Sequence, residues 1–170
     1  KRIGEEDAVG LLRMASTEQW QYLLDLEIWA KDLPDAQKAL KWFGLLVRAD
    51  AAKLAKWVYE EQSSLASLVL LRQTEIIFRQ DHDDVWKVPP GYFTLDGAFY
   101  VKAKDGVDEQ AVENFLRALA DADYSLYRSL LLNLASLIPA ETEEELYRRR
   151  SNRLAEYGFA PPDEAAAVFA

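Results

Sequence analysis

Cysteine is absent from the 170 residues and histidine occurs once. Without a thiol there is no disulfide framework, no thiolate nucleophile and no sulfur-ligated metal site, and the cytoplasm is the compartment that fits. Glycine and proline are scarce, seven and six residues, so few positions interrupt a helix. Basic residues are in deficit, 20 against 29 acidic, for a formal charge of −9. That balance opposes nonspecific attraction to nucleic acid or anionic lipid. Long hydrophobic runs are missing too. Leu65 to Leu71 and Ser129 to Pro139 are too short or too polar to span a bilayer, which takes about 20 apolar residues; no membrane insertion is expected. No Gly-x-Ser-x-Gly elbow occurs, and no glycine-rich phosphate cradle precedes a helix.

What is present is the material of a packed globule. Half the residues are hydrophobic, with five Trp, eight Tyr and seven Phe. A chain of this length buries roughly 70% of the surface its unfolded form exposes, enough for one core. One helical domain over 1–170 is expected, with two helical halves, about 5–78 and 107–169, joined by a loop and hairpin over 79–106. The chain opens Lys-Arg-Ile-Gly without an initiator Met and stops within a helical pattern. It reads as a piece excised from a longer protein.

Helical spacing dominates both halves. Glu5 to Met14 carries Val9, Leu11, Leu12 and Met14. Ser16 with Gln19 has the capping-box pattern for the next helix, whose face holds Trp20, Leu23, Leu24 and Ile28. Leu26 and Trp29 widen that face, which predicts a helix inside the domain. Lys31 to Pro34 ends it, and Pro34 fits the first turn of a third helix through Leu40, Phe43 and Val47. Asp50 caps a further helix with Leu54, Trp57 and Val58, and Ser63-Ser64 starts one through Leu65, Leu68, Leu71, Glu75 and Phe78. Later, Val112, Phe115, Leu116 and Leu119 form a stripe. Asp121 or Asp123 caps a helix through Leu126, Tyr127, Leu130, Leu131 and Leu134. Thr142 with Glu145 predicts the start of the last long helix, and Gly158 suits the left-handed position after it. Asp163 to Phe169 predicts one more short helix. The short turns predict a mainly α fold, a short-helix bundle or α-solenoid-like packing.

One stretch breaks this rhythm. Tyr92 to Val101 places Asp96-Gly97 between short aromatic and β-branched segments, the signal of a hairpin with a two-residue type I′ turn and positive φ at both central residues. That turn pairs Leu95 with Ala98, Phe93 with Tyr100, Thr94 with Phe99 and Tyr92 with Val101. Neither face of the ribbon is polar, and an isolated ribbon is marginal in water. It must lie on the helices or join strands from elsewhere.

Candidate chemistry is sparse. The lone His82, flanked by Asp81, Asp83 and Asp84, offers one imidazole and three carboxylates to a divalent metal. The run lacks the turn glycine and closing glutamate of a calcium loop, and a solvated acidic loop is the plainer reading. Arg148-Arg149-Arg150 and Arg153 concentrate positive charge, and Arg149, Arg150 and Arg153 are candidate contacts for an anion or an acidic partner. Against this, Glu144 with Arg148 and Glu145 with Arg149 have i,i+4 spacing for helical ion pairs. Tyr147, Arg150, Leu154 and Tyr157 share a stripe that half buries Arg150. No catalytic residue and no cofactor is predicted.

The Trp-bearing helices of the first half, the middle Phe93 to Tyr100, and the closing Glu144 to Phe159 together resemble an uncharacterised bacterial family, a likeness over most of the chain that implies no catalytic residue. The first half, Glu5 to Phe78, is also similar in helix rhythm and acidic-leucine composition to the cytoplasmic N-terminal domain of MgtE-type magnesium transporters, which implies a magnesium-responsive role. The expected function is a noncatalytic helical protein-interaction or scaffold module of a larger bacterial protein, its partner another protein or a neighbouring domain of the same chain. The alternative is a divalent-cation-responsive regulatory domain.

Overall fold

The longest helix is interrupted by its own capping residue. In the computed structural model, which describes residues 4–79 and 86–158, α3 (Ala36–Trp57) is broken at Asp50, whose backbone is extended at φ −163° and ψ 92°. The Asp50 carboxylate accepts the Lys53 amide at 3.1 Å, so the second segment of α3 begins where the sequence places a helix start. The other helices are α1 (Glu5–Met14), α2 (Thr17–Glu27), α4 (Ser63–Gln73), α5 (Glu109–Ala122), α6 (Tyr124–Asn133) and α7 (Pro139–Glu156). A π-helical turn, Val58–Gln62, joins α3 to α4, and a 3-10 turn, Leu134–Ser136, follows α6. The fold is mainly α, as the sequence predicts. Short polar side chains set most starts. Ser16 and Gln19 form the complete capping box of α2, Asp35 and Asp108 each accept two amides at the starts of α3 and α5, and Asp123 caps α6.

The core joins the two halves of the chain. Phe43 on α3 stacks on Phe115 on α5, rings 4.8 Å apart and nearly parallel. Trp20 meets Trp57 edge to face at 5.6 Å, and its indole N–H donates to the buried Leu12 carbonyl at 2.9 Å. Both tryptophans are buried, where their large apolar area contributes most. One apolar cluster runs from Val9 through Phe43, Leu68 and Phe115 to Leu146. Because α3 packs on α5, across the intervening sheet in sequence, the arrangement has the character of a bundle.

The sheet departs from the sequence reading in three ways. The helix expected to reach Phe78 ends at Gln73, and Thr74–Phe78 is a strand, β3. Thr74 turns its amide and its hydroxyl to the Leu70 carbonyl, closing the helix, and the following Ile76-Ile77-Phe78 suits a pleated surface. With β4 (Phe93–Thr94) and β5 (Phe99–Ala103) it forms an antiparallel sheet of order β3-β5-β4. The expected hairpin is therefore two strands of three. Second, its register is shifted by one residue: Phe93 lies opposite Val101 and Thr94 opposite Tyr100. Third, Asp96 does not have positive φ, whereas Gly97 has φ 74°. The Asp96 carboxylate accepts the Ala98 and Phe99 amides at 2.9 Å each, and Thr94 Oγ1 accepts the Gly97 amide at 2.8 Å. Side-chain acceptors thus hold a wider loop where the sequence predicts a tight turn. One face of the sheet is covered, with Phe99 and Val101 buried toward the helices; on the other, Trp86 packs edge to face on Tyr100 at 4.6 Å while Glu75 is exposed.

Three smaller expectations also change. Pro34 lies in β2 (Leu33–Pro34), which pairs with β1 (Trp29–Ala30) through Lys31 at φ 59°, and α3 starts only after Asp35. Helix α7 begins at Pro139, a turn before the expected start at Thr142, because proline's fixed φ and missing N–H suit the first helical position; Thr142 is buried inside the helix. Leu26, expected inside, is 49% exposed, while its neighbour Asp25 is 1% exposed. Gly158 has φ 89°, as its place after α7 predicts. The helix expected over Asp163 to Phe169 lies outside the described residues.

Candidate functional site

Arg149, Arg150 and Arg153, which the sequence singles out, all lie on α7, and two of them converge on Asp25 of α2. The Arg153 guanidinium donates from Nε to Asp25 Oδ2 and from a terminal amino group to Oδ1, each at 2.8 Å. Arg150 Nε donates to the Asp25 backbone carbonyl at 2.8 Å. Gln21, one turn earlier on α2, donates to Asp25 Oδ1 at 3.2 Å and is itself bonded by the buried Gln62. Such a two-point fork fits a carboxylate better than a single ammonium does. The cluster fastens the last long helix to the second.

Arg150 is half buried, with its guanidinium 4.9 Å from the Trp29 ring centre. Burial holds its pKa below the ordinary arginine value, Asp25 and Tyr147 oppose the shift, and Arg153 adds to it. Trp29 also meets Tyr147 edge to face at 6.4 Å, and Tyr157 packs on Tyr22 at 5.0 Å. Arg149 is turned to solvent and paired with Glu145, the i,i+4 pair the sequence predicts. The companion pair, Glu144 with Arg148, is not formed among the described residues. Chemically the assembly is a cation-rich joint with an aromatic shelf, and its strongest donors are engaged within the protein.

Asp25 and Gln62 are the residues that sequence reasoning misses. A signal exists: Asp25 stands between Leu24 and Ile28 on the apolar side of α2, and a carboxylate placed there needs a cation from elsewhere. The metal candidates Asp81, His82, Asp83 and Asp84 lie outside the described residues. Among the described residues no group of three His, Cys, Asp or Glu side chains is placed to hold a metal ion.

A second cluster sits at the loop between β4 and β5. The Tyr124 hydroxyl donates to Asp96 Oδ2 at 2.8 Å, tying the loop to α6. Burial raises the Asp96 pKa, but the Phe99 and Ala98 amides and the Tyr124 and Thr94 hydroxyls outweigh it and hold the carboxyl below the usual range. Tyr127 is fully buried, its hydroxyl has no partner among the described residues, and burial pushes its pKa up.

Two concavities lie on the surface. A groove of about 640 Å³ runs between α3 and α5, floored by Leu40, Gly44 and Ala111 and rimmed by Lys38, Lys41 and Gln110. An apolar trough of about 340 Å³ lies between β3 and α6, walled by Ile76, Phe78, Leu131 and Leu132. No helix among the described residues is long and apolar enough to cross a membrane. No curated protein and no solved structure matches the chain. The model of a family of unknown function, DUF6178, matches residues 1–170, and the chain belongs to that family.

Proposed function

We propose that this chain is a noncatalytic helical interaction or scaffold module of a larger bacterial protein, which holds a protein partner or a neighbouring domain of the same chain. The observation that carries this reading is the trough between β3 and α6, whose wall residue Leu132 is 41% exposed beside the half-buried Ile76 and Phe78. Single exposed leucines are ordinary, but apolar residues that wall one concavity match the surfaces on which proteins dock. The engagement of Arg150 and Arg153 with Asp25 also supports it, because these two cations fasten α7 to α2. Arg149, turned to solvent, and the half-buried Arg150 are the secondary candidates for contact with an acidic partner.

The test is a photo-cross-linking amino acid placed at position 132 of the full-length protein in its native cell, with position 14 as control, since Met14 is 87% exposed. The reading expects a discrete cross-link from 132, to one protein or to another part of the same polypeptide, and none from 14. Equal, diffuse labelling at both positions would refute it. The second reading, a divalent-cation-responsive regulatory domain, rests on the carboxylates around His82. It requires the Tm to rise with millimolar Mg²⁺ by linkage, and an unchanged Tm removes it.

A further inference from the structure

The outer edge of β3 is a row of backbone groups whose direction the ladder fixes. Arg79 N–H donates to Ala98 O at 2.8 Å and Lys104 N–H to Gln73 O at 2.9 Å. In an antiparallel pair, hydrogen-bonded and non-bonded positions alternate, so Glu75 and Ile77 bond toward β5. The N–H and C=O groups of Ile76 and Phe78 therefore point away from the sheet. Among the described residues neither accepts or donates a backbone hydrogen bond on that side. The side chains of the same two residues wall the trough with Leu131 and Leu132.

We propose that this edge receives an extended strand from a partner polypeptide, with apolar residues at alternate positions and acidic residues at its ends. The inference rests on the interaction-module reading and names the chemistry of the partner. An occupant must match the exposed donors and acceptors at strand spacing and fill the trough with every second side chain, which an extended chain does and a helix cannot. Charge sets the flanks. The lining of the trough carries no charged side chain, but Lys104 reaches the Leu71 carbonyl at 3.4 Å near one end, and the Arg128 guanidinium lies 5.3 Å from the Phe78 ring centre at the other. A strand edge without a backbone partner among the described residues is a surface that proteins normally cover.

The experiment pans a phage-displayed library of random twelve-residue peptides against the 170-residue chain. Enriched peptides are then synthesised and titrated against the wild type, Ile76→Pro and Leu132→Asp. Proline at 76 removes an outward N–H and spares the bonds to β5, the position at which an edge strand tolerates it. Leu132→Asp alters only an exposed wall, so it carries the test if Ile76→Pro fails to fold. The proposal expects peptides with apolar residues at every second position and acidic flanks, and a loss of affinity of tenfold or more with either folded variant. It is overturned if nothing is enriched, if the apolar residues recur at helical spacing, or if the variants bind as the wild type does. A dimer of the chain alone that Ile76→Pro dissociates would make a second copy the occupant and overturn it as well. A discrete cross-link from position 132 that survives Ile76→Pro would keep the module reading and sink this one.

Discussion

The Arg153 guanidinium grips both carboxylate oxygens of Asp25 across 128 residues of sequence, and the carboxylate is almost wholly shielded from water. Removing one partner of such a pair leaves the other charge without compensation, which costs more than the pair contributes over an apolar substitute. Arg153→Leu should destabilise the fold by about 3 kcal/mol. Arg149→Ala, which removes an exposed i,i+4 pair with Glu145, should cost less than about 0.5 kcal/mol. Urea titration of the two variants checks the contrast, and equal losses would show that the clamp does not hold α7 to α2.

Asp96 gives the loop between β4 and β5 a pH dependence with a definite sign. Its folded-state pKa is lowered, so its contribution is complete above the unfolded value of about 3.9 and is lost as pH falls through the depressed folded value. Asp96→Asn should be less stable than the wild type at neutral pH. The difference between them should shrink steadily below about pH 4, as the wild-type carboxyl takes up its proton. Denaturant titrations at a series of acidic pH values read this directly, and a gap that stays constant to about pH 2 would remove Asp96 from the account.

The same substitution at two glycines should act with opposite signs. Gly97 has φ 74° and open space where a Cβ would stand, so Gly97→Ala meets only conformational strain, about 1 kcal/mol. Gly44 lies within α3, where an added Cβ would sit 3.8 Å from the Ala111 Cβ, an ordinary contact. Gly44→Ala should stabilise by up to about 1 kcal/mol through helix propensity. Thermal melts of both variants against the wild type decide it.

The helix starts at Ser16, Asp35, Asp50, Asp108 and Asp123 depend on a side chain and an amide two or three residues away, and the sequence marks Ser16 and Asp50 and narrows the last to two aspartates. Thr142 misleads, because its spacing to Glu145 imitates a capping box while Pro139 already supplies a start. Ile76-Ile77-Phe78 extends a helical stripe on paper. The extended form goes with the closure of α4 by Thr74 and with pairing to β5, which gives the two-stranded ribbon a third strand. Of the candidate site, the arginines are visible as a charge run and their partner is not.

Composition, caps and helical periodicity by themselves determined a mainly α chain, the position of its one irregular centre, and the want of any cysteine chemistry, because these follow from contacts a few residues apart. The tertiary structure alone decided that α2 turns Asp25 inward and Leu26 outward, that α3 packs on α5, and that β3 closes one side of the ribbon and, among the described residues, has no strand on its own far edge. The physical reason is range: a buried carboxylate, a stacked ring and a strand edge each take their meaning from a partner far along the chain, and no local pattern encodes where that partner will stand.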